Sequence, residues 1–122
     1  MPPKKILVAD DEADIRHLVS QALFKEYIVV EAADGIEAVL KANEEQPDLI
    51  LLDIMMPRQD GYETCMKIKS AAETRNIPVV MFTGAGCELN RKLGEQLGAA
   101  EYITKPFKVE ALIKAVKRLV EP

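Results

Sequence analysis

Acidic, hydroxyl and amine side chains stand directly after four of the five short apolar segments of this chain. Asp10 and Asp11 follow the first segment and Asp53 follows the third, while Thr83 follows the fourth and Lys105 follows the fifth. Carboxylates of this kind bind hard cations, and hydroxyl and ammonium groups bind the oxygens of anions. If these side chains meet, they form a site for a metal ion and a charged group.

The charges of these residues predict a divalent cation. Asp10, Asp11 and Asp53 carry three negative charges and Lys105 returns one, and two carboxylates ~4 Å apart repel each other by ~4 kcal/mol at an effective dielectric near 20. Oxygen ligands without histidine or cysteine favour Mg²⁺, or a similar hard ion such as Mn²⁺. A phosphoryl group bridged to that ion can be attacked by a carboxylate oxygen, which gives an aspartyl-phosphate.

Each residue taken singly has a simpler explanation. An Asp after a strand is often only a helix N-cap, Thr83 fits a strand end, and a lone Lys105 would be solvated. The joint occurrence of these residues at four segment ends favours the functional interpretation.

The segments that carry these residues read as strands. The apolar runs are 6–9, 28–30, 49–52, 79–82 and 102–104, and most are continuous rather than alternating, as in strands covered on both faces. The second run is followed by Glu31, Ala32 and Ala33, a set without the hydroxyl or amine groups found after other runs, as expected of an edge strand remote from a site.

Between the runs lie segments with helical spacing, so strand and helix alternate five times. This alternation predicts an α/β sandwich with a parallel sheet, and such sheets bind ligands at the carboxyl ends of their strands. The apolar stripes, of the kind that faces a core, are Ile15, Leu18, Val19, Ala22 and Leu23; Ile36, Val39 and Leu40; Cys65 and Ile68; Leu89, Leu93 and Leu97; and Val109, Leu112, Ile113, Val116 and Leu119.

Composition narrows the class of protein. The 122 residues suffice for one domain, 1–122. A net charge of −4 and a pI near 5.1 argue against direct nucleic-acid binding by this chain. We find no apolar stretch long enough to span a membrane and no signal-peptide core, so we expect a cytoplasmic protein. Cys65 and Cys87 form no metal-ligand pair.

Four motifs resemble one known family. They are ILVADDE at 6–12, DLILLDIMMPRQDG at 48–61, VVMFTG at 79–84 and GAAEYITKPF at 98–107. Over essentially its full length the chain resembles the CheY-like receiver domain of two-component response regulators. The resemblance implies a (βα)5 flavodoxin-like three-layer sandwich with a five-stranded parallel sheet of order 2-1-3-4-5.

The resemblance also implies a site and a reaction. Asp53 would accept a phosphoryl group from the phosphohistidine of a sensor histidine kinase or of a histidine phosphotransfer protein. Asp10 and Asp11 would hold Mg²⁺ together with Asp53 and the backbone carbonyl of Met55. On this interpretation the protein is a signalling switch rather than a turnover enzyme.

Further residues would bind the phosphoryl group and relay its presence. Thr83 and Lys105 would bind phosphoryl oxygens, Tyr102 would be the switch aromatic, and the Lys105–Pro106 peptide bond would be a candidate for the cis form. The face built from the predicted fourth helix, fifth strand and fifth helix would then control a downstream protein or effector domain. The chain would be a monomer or a phosphorylation-dependent dimer.

The sequence adds some features of its own. Gly86 and Gly94 predict a mobile start of the fourth helix. The resemblance implies that the positions of Met55 and Ala85 tune the lifetime of the phosphoryl group, and since neither residue can orient an attacking water, slow self-dephosphorylation is favoured. His17 falls on the solvent side of the first helix. The resemblance also implies that partner helices pack near this helix, so the neighbouring Arg16 would contribute to a kinase-docking surface.

Two other functions fit the sequence less well. A Mg²⁺-dependent phosphatase with an aspartate nucleophile needs a second acid two residues after Asp53, and that position is Met55. A flavin-binding module needs a Ser/Thr-rich loop after the first strand, where this chain has Asp10, Asp11 and Glu12.

Overall fold

The computed structural model describes residues 3–84, 92 and 95–121. The strands are β1 (Lys5–Ala9), β2 (Ile28–Ala32), β3 (Leu49–Asp53), β4 (Val79–Thr83) and β5 (Glu101–Thr104). The helices are α1 (Ala13–Leu23), α2 (Gly35–Glu45), α3 (Gly61–Ser70) and α4 (Val109–Val120). The C-terminal helix α4 is the predicted fifth helix. The predicted fourth helix and its expected mobile start lie mainly outside the described residues, as do Ala85 and Cys87.

The five strands form one parallel sheet in the order β2-β1-β3-β4-β5. This confirms the predicted fold and strand order. The inner strands β3 and β4 are buried along their whole length, whereas the edge strands β2 and β5 are partly exposed. Inner strands need apolar residues on both faces, which explains why their sequences are nearly continuous apolar runs.

Two apolar cores lie on opposite faces of the sheet. Alternate residues of β3 separate between them, with Leu49 and Leu51 in one core and Ile50 and Leu52 in the other. Helices α1 and α4 cover the first core, and α2 and α3 cover the second. Full burial of each such side chain stabilises the fold by roughly 1.5–3 kcal/mol. The molecule is therefore a three-layer sandwich.

Two residues of the apolar stripe predicted on the second helix face solvent rather than the core. Ile36 and Leu40 are 54% and 57% exposed, and the buried positions of α2 are instead Gly35, Ala38 and Ala42. Small residues let the helix approach the sheet and α3 closely. The prediction was therefore wrong for Ile36 and Leu40, because helical spacing does not specify the space available between a helix and the sheet, whereas Val39 packs against the core as predicted. Among the described residues, none of the helices combines the length and apolar character needed to cross a bilayer.

Two Asp-Gly pairs begin helices on the side of the sheet that holds α2 and α3. Asp34 accepts a hydrogen bond from the backbone N–H of Glu37 at 2.8 Å, and Asp60 caps α3 in the same way. Gly61 is packed against the end of β3: an added Cβ would lie 2.4 Å from the Asp53 carbonyl oxygen. These contacts fix the loop that follows Asp53.

Candidate functional site

The carboxylates predicted to meet do so at the carboxyl edge of the sheet. Oxygen atoms of Asp10, Asp11, Glu12 and Asp53 all lie within 4.8 Å of one another. Asp10 is fully buried and Asp53 is 5% exposed, whereas Asp11 and Glu12 are exposed. Strands β1 and β3 are direct neighbours, so the residues at and just after their carboxyl ends are brought side by side. Glu12 was not among the predicted site residues, although it follows Asp11 directly.

Lys105 follows the edge strand β5 and reaches the same cluster across β4. Its Nζ lies 2.8 Å from Oδ2 of Asp10, 3.4 Å from Oε1 of Glu12 and 3.5 Å from Oδ2 of Asp53. Its backbone N–H donates to the carbonyl of Thr83 at 2.6 Å. The Lys105–Pro106 peptide bond is cis. The ammonium therefore stands among three carboxylates and forms its shortest contact with Asp10.

Thr83 lies on β4, beside the strand of Asp53, and Tyr102 lies on β5, the strand that leads to Lys105. Thr83 ends β4 and is 4% exposed. Tyr102 pairs with Met81 in the register of β4 and β5, and it is half-buried against the core beneath α2 and α3. Thr83 thus stands at the carboxyl edge, while Tyr102 stands further back along the neighbouring strand.

The electrostatics of the cluster indicate a shortage of positive charge. Burial, and next the charge of Asp10, raise the pKa of Asp53 from 3.8 to about 6, although Lys105 and the Met55 backbone N–H partly offset this. Burial alone would lower the pKa of Lys105, but its hydrogen bond to Asp10 and the charge of Asp53 outweigh burial and raise it. One lysine does not neutralise four neighbouring carboxylates.

The donor set fits a hard divalent cation. The donors are carboxylate oxygens, two of them on buried residues, and they are already within reach of a common point. Mg²⁺ prefers such oxygen ligands and retains waters as further ligands. Met55 is 78% exposed beside Asp53, so the approach to the cluster on that side carries an apolar thioether rather than an acid.

Arg16 contacts the acidic cluster, whereas from the sequence it was predicted only as part of a kinase-docking surface. Its Nη1 donates to the backbone carbonyl of Asp10 at 2.8 Å, and its Nε contacts Oε1 of Glu31 at 3.1 Å. Its side chain is only 19% exposed, whereas the neighbouring His17 is exposed as predicted. The one available signal was its distance of a single helical turn from Glu12.

A doubly wound parallel sheet with clustered carboxylates and a lysine at its carboxyl edge is the arrangement of a receiver domain. The family model for the response regulator receiver domain matches residues 6–117, and the chain belongs to this family. It is therefore a receiver domain of two-component signalling systems.

Two relatives and two solved structures illustrate the similarity. The transcriptional regulatory proteins PhoP and ResD of Bacillus subtilis are 43% and 45% identical over 97% and 95% of this chain. The matches cover 50% of PhoP and 48% of ResD, so the chain spans about half the length of these curated relatives. Relatives of this kind are signalling proteins rather than turnover enzymes.

The solved structures cover the whole fold. A response regulator from Chloroflexus aurantiacus superposes with a TM-score of 0.93 at 29% identity, covering 99% of this chain and 100% of that one. The receiver domain of a sensor histidine kinase from Pseudomonas aeruginosa gives a TM-score of 0.90 at 29% identity, with the same two coverages. The Pseudomonas structure has a magnesium ion coordinated in its active-site cleft.

Proposed function

We propose that residues 1–122 form a phosphorylation switch in which Asp53 accepts a phosphoryl group in the presence of Mg²⁺. The donor is the phosphohistidine of a sensor histidine kinase or of a histidine phosphotransfer protein. The observation that carries this proposal is the meeting of the Lys105 ammonium with Asp10 and Asp53, at 2.8 and 3.5 Å, inside a group of four carboxylates.

Three carboxylates and one carbonyl are proposed to hold the cation. Asp10, Asp11 and Asp53 supply carboxylate oxygens, and Met55 supplies its backbone carbonyl. Glu12 lies in the same cluster and completes the acidic rim. When bound, Mg²⁺ would offset most of the negative charge of the rim and orient an anionic phosphoryl group.

Asp53 is the proposed nucleophile. A pKa of about 6 leaves its carboxylate largely ionised at neutral pH, yet less stabilised than an exposed aspartate. One of its oxygens attacks phosphorus, the P–N bond to the donor imidazole breaks, and the bonding electron pair leaves with the imidazole, which takes up a proton. The product is an aspartyl-phosphate.

Lys105 and Thr83 are proposed to bind the transferred group. The Lys105 ammonium already contacts Asp53, so it can neutralise charge on the phosphoryl oxygens. The Thr83 hydroxyl donates to one of these oxygens, a charge-assisted bond worth roughly 1.5–3 kcal/mol. A bias of that size shifts a two-state equilibrium by about 10- to 150-fold.

The response is proposed to pass through Tyr102 to the face formed by β5 and α4. Tyr102 turns towards the space that Thr83 leaves, and the changed face binds a downstream protein or an effector domain. PhoP and ResD are transcriptional regulators about twice as long as this chain, which supports an effector domain as the partner. Non-ionisable Met55 supports slow self-dephosphorylation.

Intact mass spectrometry tests the proposal. The chain is incubated with Mg²⁺ and acetyl phosphate or phosphoramidate, and we expect the mass of one phosphoryl group to be added. The gain should vanish in Asp53→Ala and persist in Asp60→Ala, a matched aspartate that only caps α3. Phosphorylation that survives Asp53→Ala, or fails in the wild type, would contradict the proposal.

A further inference from the structure

Arg16 of α1 binds the backbone of the segment that carries Asp10, Asp11 and Glu12. Arg16 Nη1 donates to the carbonyl of Asp10 at 2.8 Å, while the Asp10 backbone N–H donates to the carbonyl of Ala32 at 3.1 Å. The Glu12 backbone N–H donates to Oδ1 of Asp10 at 2.9 Å. Because both backbone polar groups of Asp10 are engaged, the orientation of the peptide that leads to Asp11 is fixed.

Arg16 is itself held by the edge strand β2. Its Nε lies 3.1 Å from Oε1 of Glu31, and the other oxygen of that carboxylate accepts from Ser20 Oγ at 3.1 Å. The backbone carbonyl of Glu31 accepts from the Lys41 ammonium. Both carboxylate oxygens of Glu31 thus have donors, and β2, which β1 separates from the strand of Asp53, is coupled to the cluster through the Arg16 guanidinium.

The chemistry of the guanidinium suits this position. Its planar fork holds two separate nitrogen donors in a fixed geometry, one towards the Asp10 carbonyl and one towards the Glu31 carboxylate, whereas the ammonium of lysine is a single point charge on a flexible stem. Arg16 binds the backbone of a cluster residue rather than a cluster carboxylate, so it leaves the carboxylate oxygens available for a cation.

We propose that Arg16 is a positioning residue for the cation site and that Glu31 holds Arg16 in its working orientation. This inference rests on the proposed function, because it concerns the same cation. Groups that orient metal ligands from outside the ligand set commonly change metal affinity by about 10- to 100-fold.

Isothermal titration calorimetry of the whole chain with MgCl2 tests the inference. We expect Arg16→Lys and Arg16→Gln to raise the Kd for Mg²⁺ by about tenfold or more. Glu31→Gln should raise it less, by about threefold, since the amide can still accept one hydrogen bond. Glu31→Gln should add little in an Arg16→Lys background, because both changes act through the same contact.

Lys5→Gln is the matched control. The Lys5 ammonium also binds a backbone carbonyl and a carboxylate, those of Glu45, at 3.2 and 2.9 Å, but at the opposite end of β1. We expect this variant to bind Mg²⁺ with the wild-type Kd. Urea unfolding of every variant separates a loss of fold from a loss of affinity, and Glu31→Gln serves as the milder probe if the Arg16 variants do not fold.

The possible outcomes are distinct. If Arg16 acts only through its charge, Arg16→Gln should bind Mg²⁺ more tightly and Arg16→Lys should equal the wild type, which would overturn the inference. Equal Kd values for folded Arg16 variants, together with weakened binding in Asp53→Ala, would refute the positioning role while supporting the proposed function. A wild-type chain that shows no saturable Mg²⁺ binding would overturn both.

Discussion

Replacing Asp53 by asparagine is expected to stabilise the folded domain at neutral pH when divalent cations are absent. The carboxylate of Asp53 is buried beside that of Asp10, and together these effects raise its pKa to about 6. Asparagine keeps the shape and removes the charge, and its side-chain oxygen can still accept the hydrogen bonds from Lys105 and from the Met55 backbone N–H. The substitution therefore relieves the cost of holding a poorly compensated negative charge in the cluster.

The sign and size of the effect follow from the pKa. Between pH 3.8 and about 6 the folded protein retains a proton on Asp53 that the unfolded chain has released, so stability falls as the pH rises through this window. At about 1.36 kcal/mol per pH unit, the penalty at neutral pH is about 3 kcal/mol. Asp53→Asn should recover up to that amount at pH 7.5 and only a small part of it at pH 4.

Urea unfolding followed by far-UV circular dichroism measures the change, since the chain has no tryptophan. With m-values of about 1–3 kcal/mol/M, recovery of the full penalty should raise the midpoint by roughly 1–3 M at pH 7.5. Asp60→Asn is the matched control and should stay within about 0.5 kcal/mol of the wild type, because asparagine caps helices as well as aspartate does. An Asp53→Asn variant that is no more stable than the wild type, or equally stabilised at pH 4 and pH 7.5, would refute the reasoning.

Three further substitutions, and Gly84→Ala as a control, test the supports of the site. Gly61→Ala should cost about 1–3 kcal/mol in thermal melts because the new Cβ meets the backbone at the end of β3, whereas Gly84→Ala, which meets nothing within 4 Å, should be neutral or slightly stabilising. Asp34→Ala should cost about 1 kcal/mol at pH 7. Since hydrogen bonding to α2 lowers the pKa of Asp34, that cost should shrink as the pH falls through the lowered pKa, and an unchanged cost at pH 3 would contradict the assignment. Lys105→Met should tighten Mg²⁺ binding by about tenfold while slowing phosphorylation, because the ammonium 2.8 Å from Asp10 competes with the cation; weaker binding in calorimetry would count against this.

Much of the site could be predicted from positions along the sequence. In a parallel sheet every strand points the same way, so residues just after different strands share one edge however far apart they are in the chain. Apolar runs located β1, β3, β4 and β5, and the residue after each run then defined the candidates Asp10, Asp53, Thr83 and Lys105. To predict that these residues meet, only the direction of the strands is required. That direction follows from the apolar runs and from their alternation with helices.

Side-chain direction and helix packing could not be obtained in this way. The spacing of the large residues Ile36 and Leu40 predicted that they form the buried face of α2. Gly35 and Ala38 occupy that face instead, because the space between the layers admits only small side chains. Size and spacing alone do not specify how closely two layers approach.

The sequence by itself determined the fold class and most of the candidate residues at the strand ends, because these depend on period and on strand direction. The strand order was implied by the resemblance of its motifs to a known family. Only the tertiary structure decided that Lys105 contacts Asp10 more closely than Asp53, and that Glu31 on the edge strand reaches the cluster through Arg16. Such contacts join residues from separate elements and depend on rotamers and distances of a few ångströms, which no local pattern along the chain encodes.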